Sequence, residues 1–174
     1  MPHYIISIQA DALEGATRAL VDDEAVRALC ARVLEEEEIE DAAGLTIVFA
    51  DDALLRSLNR QHRDLDVPTD VLSFPAWEGS PEDGDGEPAP PSVPRDADEP
   101  GPYLGDIAIS VETAARQATE AGLPTEDELA HLVLHGVLHI IGYDHETPED
   151  DAEMRAREEE ILGPAIHAGG AHRD

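Results

Sequence analysis

At 174 residues, with 40 Asp and Glu against 11 basic residues that are all Arg, the chain carries a formal net charge of −29. Such a balance excludes nonspecific nucleic-acid binding through a broad basic surface. No run approaches the ~18 apolar residues of a membrane span, and the start lacks the basic segment and apolar stretch of a secretory signal, so a soluble, cytoplasmic protein is expected.

The length suits one domain with a buried core, expected over residues 1–166 with a frayed tail at 167–174. Residues 4–8 read as a short strand and 22–40 as an amphipathic helix with Val26, Leu29, Cys30, Val33 and Leu34 inward. Cys30 has no second cysteine to pair with and is expected to be a small buried apolar residue. After Gly44, residues 45–50 form a second strand. Asp51-Asp52 then caps a helix carrying Leu54, Leu55 and Leu58, and residues 71–74 form a third strand. Residues 78–102, rich in Pro, Gly and acids, read as a loosely ordered inserted loop. Residues 103–110 give a fourth strand with Ile107 and Ile109 on one face, and 111–121 a helix that breaks at Gly122-Leu-Pro124.

The next helix is expected to open on a capping box, with Thr125 as cap and Glu128 at the reciprocal position. A last helix, 148–162, starts with Glu149, Asp150 and Asp151 at the positive end of its dipole. Strands separated by helices predict an α+β fold: a small mixed sheet of about four strands, covered by helices around one central helix. Strand order is not readable from this pattern.

The densest chemistry is His135-Gly-Val-Leu-His139-Ile-Ile-Gly142-Tyr-Asp-His145. Imidazoles four residues apart on a helix share a face, roughly 6 Å apart along the axis. Gly142 can turn the chain back with a positive φ and bring His145 to the same point. Three nitrogens then converge and leave one position open, the arrangement by which zinc activates water. The ordinary alternative, hydrogen-bonded core histidines, is weakened by the apolar character of the helix around them. Two buried imidazoles without partners would cost on the order of 1–3 kcal/mol each. His131, one turn earlier, is expected to be a buried hydrogen-bonded residue rather than a fourth ligand.

The spacing also fits the metzincin metalloproteases, in which the residue after the first His is the glutamate general base. Here it is Gly136. Loss of that base removes a factor of ~10²–10⁴ in rate and leaves the protease as a distant alternative. Met154 is read as a core contact.

Other blocks accompany the histidines: Leu58-Asn59 then Arg63, Pro68-Thr69-Asp70-Val-Leu-Ser73-Phe74-Pro75, and Leu104-Gly105-Asp106-Ile107. In this order, and with the histidine motif, they resemble the YbeY family of bacterial endoribonucleases and rRNA maturation factors. That resemblance implies single-strand-specific RNA cleavage and one zinc ion on His135, His139 and His145. It also implies a role at the 3′ end of small-subunit rRNA and in ribosome quality control, with ribosomal partners and with neither membrane nor DNA involved. The family's functional arginine maps onto Arg63, whose guanidinium can clamp a phosphate bidentately; the alternative is a surface Arg paired with Asp64 or Asp66.

Further candidates are Arg56 and Arg60 for substrate binding, with Arg116 near them. Asp70 is expected to support a turn first and contact substrate second, and Ser73 either lines the cleft or bonds to backbone. Asp144 and Glu146 are candidates for orienting a ligand imidazole, with plain turn residues as the alternative. A different class of function also stays open: a ribosome-associated assembly factor whose metal is structural.

Overall fold

A computed structural model of the chain describes residues 4–11, 13–39, 42–64, 69–75, 103–142 and 147–163. In chain order the elements are β1 (Ile5–Gln9), α1 (Gly15–Ala19), α2 (Asp23–Glu36), β2 (Gly44–Ala50), α3 (Asp52–Arg63), β3 (Val71–Pro75), β4 (Tyr103–Ser110), α4 (Val111–Ala121), α5 (Thr125–Ile140) and α6 (Pro148–Leu162). The sheet runs β1-β2-β4-β3. β1, β2 and β4 are parallel, and β3 adds antiparallel at one edge, pairing Val71 with Ile109 and Ser73 with Ile107. This is the expected α+β architecture. The inserted loop expected at 78–102 and the tail at 167–174 lie outside the described residues.

Short polar residues start most of the helices. The carboxylates of Asp22 and Asp51 accept from the backbone N–H groups of Ala25 and Leu54, and the hydroxyls of Ser110 and Thr147 accept from those of Thr113 and Asp150. Each such cap satisfies a backbone donor that the helix itself leaves unpaired. The expected cap of α5 is corrected. Pro124, in extended conformation, is its N-cap residue, Thr125 is already helical, and no side chain caps this end. Glu128 points inward, 1% exposed, and so does not stand at the surface as the reciprocal member of a capping box.

Alternation along the strands divides the interior in two. On one face Leu45, Ile47 and Phe49 of β2 join Ile107 and Ile109 of β4, covered by Val33 and Leu34 of α2 and by α5. On the other, Ala50, Leu72 and Ala108 meet Leu55 of α3, with Leu58 and Phe74 at the margin. The small residues on this second face let α3 lie close to the sheet. Leu132, Val133, Leu134, Val137 and Leu138 are all fully buried, which makes α5 the central helix. Burying each such large side chain contributes roughly 1.5–3 kcal/mol. Cys30 is also fully buried, and burial pushes its thiol up to about 12, so it behaves as an apolar residue.

Gly136 marks the closest approach of α5 to the sheet. A Cβ there would sit 2.7 Å from Cγ2 of Ile107. Across the same contact, the Ser73 hydroxyl donates to the Gly136 carbonyl at 3.5 Å, tying edge strand β3 to α5.

Candidate metal centre

The register of α5 puts His131, His135 and His139 in a ladder, one per turn, and α6 lays Glu158 against it. The His131 Nε2–H donates to Glu158 Oε2 at 2.7 Å, and the His135 Nδ1–H donates to Oε1 at 3.0 Å. Glu158 is 2% exposed, His131 2% and His135 6%. Burial pushes the Glu158 carboxyl up, but the hydrogen bonds and charge of His131 and His135 outweigh it and hold the group down to about 2. Each carboxylate oxygen thus faces one ring nitrogen, the arrangement in which both imidazoles present an N–H to it.

In a neutral ring, a proton on Nδ1 of His135 leaves the lone pair on its Nε2. That nitrogen lies 3.2 Å from Nε2 of His139, the two rings standing nearly perpendicular at 80°. Zinc–nitrogen bonds of ~2.0–2.1 Å at a tetrahedral ion set two ligand nitrogens about 3.3 Å apart. The pair thus has the separation, lone-pair availability and outer carboxylate of two zinc ligands. His139 is partly exposed, so the pair opens on one side.

Gly142 follows the helix with φ +119, the positive value anticipated for the turn. His145, Asp144 and Glu146 lie outside the described residues, and among those described no third His, Cys, Asp or Glu joins the pair. His131 is buried and hydrogen-bonded to Glu158, as read from the sequence. Met154 is buried at 1%.

Arg63 closes α3, and its side chain also falls outside what is described. Arg56 and Arg60 stand exposed one turn apart on the same helix. Arg116 is engaged elsewhere: its guanidinium pairs with Asp52 at 3.0 Å and donates to the Thr113 hydroxyl at 2.9 Å. Asp70, 7% exposed, accepts from the Val71 N–H at 2.8 Å and from the Gln117 amide at 3.3 Å, which is the turn-supporting role expected of it. In the Gly105-Asp106 block, burial pushes the Asp106 carboxyl up, against the lowering hydrogen bond from the Tyr103 hydroxyl.

Glu158 is the residue that sequence reasoning missed. Among the many acids of α6 it carries no motif. Its signal is positional, because Met154, Glu158 and Ile161 form the i, i+4, i+7 stripe that α6 buries.

Comparison with known proteins agrees with the fold and with the family that the sequence resembles. A family model described as Endoribonuclease YbeY matches residues 13–165. The Endoribonuclease YbeY of Roseiflexus castenholzii is 45% identical over 146 residues, covering 83% of this chain and 84% of its own length. That of Thermoanaerobacter sp. (strain X514) is 39% identical over 157 residues, covering 90% and 96%. The solution structure of TM1509 from Thermotoga maritima aligns with a TM-score of 0.55 at 25% identity, over 92% of this chain and 95% of that one.

Proposed function

Because the chain belongs to the YbeY endoribonuclease family, we propose that it is a zinc-dependent, single-strand-specific endoribonuclease that matures the 3′ end of small-subunit rRNA and serves ribosome quality control. The observation that carries the metal is the His135–His139 pair, with its 3.2 Å Nε2 separation and an Nδ1 proton fixed by Glu158. In this reading His135, His139 and His145 hold the ion. A divalent cation bound there supplies Lewis-acid activation of water and of the scissile phosphate.

The chain's own groups do the rest. Arg63 binds the scissile phosphate through its guanidinium and stabilises the charge that develops on it. Arg56 and Arg60 extend this cation row along α3, which beyond Asp52 contains no acid, an exception in a chain of net charge −29. RNA is thereby attracted to one strip while the acidic remainder repels it, and binding is expected to weaken with salt. Leu58 and Phe74 share the apolar cluster under α3, which supports a course that carries Arg63 toward the end of the sheet where β4 begins. Ser73 and Asp70 hold β3 in place beside the cleft. Gly136 supplies no carboxylate at the position after His135, so the chain offers no general base at the place a metzincin would use.

The test is cleavage of a single-stranded RNA by the pure protein, with a duplex of the same sequence alongside. Activity should vanish with chelator, return with zinc, and fall by about 10²-fold or more in Arg63→Ala. Chelator-resistant cleavage, or full activity in Arg63→Ala, would overturn the reading. A 2′,3′-cyclic phosphate on the product would identify the ribose hydroxyl as nucleophile; a 5′-phosphate with a 3′-hydroxyl would identify water.

A further inference from the structure

We propose that Glu158 is the positioning residue of the metal centre: its carboxylate locks His135 in the Nδ1–H tautomer, and His131 locks the carboxylate. The proposal rests on His135 being a metal ligand, and it adds a buried relay behind that ligand, His131–Glu158–His135, running across the α5–α6 contact.

A solvated neutral imidazole is free to carry its proton on either nitrogen, and the partner of one nitrogen decides the state of the other. Glu158 uses both of its oxygens, Oε1 on His135 and Oε2 on His131. Because each carboxylate oxygen already faces one ring nitrogen at hydrogen-bond distance, the wrong tautomer of His135 would set a ring lone pair against an oxygen lone pair in a buried site. That state is strongly disfavoured. The consequence appears on the far side of the ring, where Nε2 is left with its lone pair directed toward the position that His139 also faces.

His131 has a separate task. A carboxylate held by one hydrogen bond can rotate about its last side-chain bond; the second bond, at 2.7 Å from the preceding turn of the same helix, fixes that rotation. Both imidazoles belong to α5, so the carboxylate is gauged against the helix that carries the ligands. Met154 and Ile161 are buried on either side of Glu158 in α6, so the carboxylate belongs to the face that α6 turns inward.

The experiment reads tautomers first, in metal-free protein. Imidazole ¹⁵N–¹H correlation spectra of the parent should show His135 with a protonated Nδ1 and an unprotonated Nε2. A parent with the proton on Nε2 overturns the proposal without any variant being made. In Glu158→Gln, the single amide oxygen can accept from only one of the two rings, and the amide N–H group must face a lone pair on the other. One of the two rings should therefore move its proton to its other nitrogen, so that His131 and His135, opposite tautomers in the parent, become alike, and zinc affinity, measured by competition with a chelating dye, should fall about 10–100-fold.

A variant that keeps the parental His135 and His131 patterns and binds zinc within twofold of the parent overturns the proposal, leaving Glu158 as a buried structural acceptor. If Glu158→Gln does not fold, His131→Gln gives the second arm: it should lower zinc affinity while His135 keeps its Nδ1 proton, and unchanged affinity counts against the relay. Failure of the ligand reading is separately visible, as a parent whose His135 Nε2 resonance does not move when zinc alone is added.

Discussion

Two carboxylates each tie a pair of helices together, Glu158 between α6 and α5 and Asp52 between α3 and α4, and they do so in opposite surroundings. Asp52 accepts from the Ser110 hydroxyl at 2.6 Å and the Thr113 hydroxyl at 2.5 Å, and pairs with Arg116 at 3.0 Å. Its side chain is 26% exposed and that of Arg116 56%. Water can replace each of those partners, so the junction is a cap shared between two helix starts. Glu158 has no such substitute, and what it does to the ring on one side determines what the ring presents on the other. The same group is thus a local fastener where solvent reaches it and a determinant of chemistry where solvent does not.

Mutation can break or sharpen this contrast, beginning with the largest effect. Under the proposed function His139→Ala removes a metal ligand, and its RNA cleavage should fall by more than the roughly 10–100-fold typical of an outer partner. Near-parental cleavage, or rRNA maturation restored in cells by this variant, would favour the assembly-factor function instead. Glu158→Ala should cost about 3–5 kcal/mol in urea unfolding, because two buried imidazoles lose their acceptor. A loss under ~1 kcal/mol would put Glu158 in the same class as Asp52.

Gly136→Ala sets helix propensity, which favours Ala by about 1 kcal/mol, against a collision with a stiff β-branched neighbour. The net expected is a destabilisation of ~1–2 kcal/mol. Ile107→Ala in that background should show a coupling of at least ~0.5 kcal/mol; strict additivity would mean that α5 simply moves away.

Asp52→Asn is the smallest, about 0.5–1 kcal/mol at neutral pH. Partial burial pushes the Asp52 carboxyl up, and the Ser110 and Thr113 hydroxyls and Arg116 outweigh it and hold it below its ordinary value. A depressed carboxyl contributes stability in full above its unfolded pKa and loses it as pH falls through the folded one. The gap between parent and Asp52→Asn should therefore be flat from neutral pH down to the ordinary carboxylate range and shrink below it. A gap that widens in acid would contradict the assignment.

Much of this molecule was legible in its sequence, for physical reasons that also mark where legibility ends. The fourth strand and the helix after it were read at their observed bounds, because period-2 and period-3.6 patterns are local and the Ser110 cap and Gly122 break are strong punctuation. The short helix α1 buries no residue and left no pattern to find. The order β1-β2-β4-β3 depends on pairings between distant segments, and no local signal encodes it. At α5 the local rule was outvoted: the Thr125–Glu128 spacing suits a capping box, but core packing claims Glu128 for the interior. In the metal centre, the His135–His139 pair was readable because it is a helical spacing. Glu158 was not, because its role is set by α6 docking on α5, and a lone acid in an acidic helix looks like solvent-facing charge.

The contact between Gly136 and Ile107 has a consequence for ancestry. The histidine spacing places this chain a short step from a peptidase motif on paper, since one residue change at position 136 would install the missing glutamate. In the folded molecule that step is opposed by packing, because a Cβ at position 136 would stand 2.7 Å from Cγ2 of Ile107, and one of the two must shift. A glutamate at position 136 would therefore need a smaller residue at position 107 or a displaced central helix, each at a loss of packing. How near this helix lies to the strand limits what chemistry its second motif position can carry.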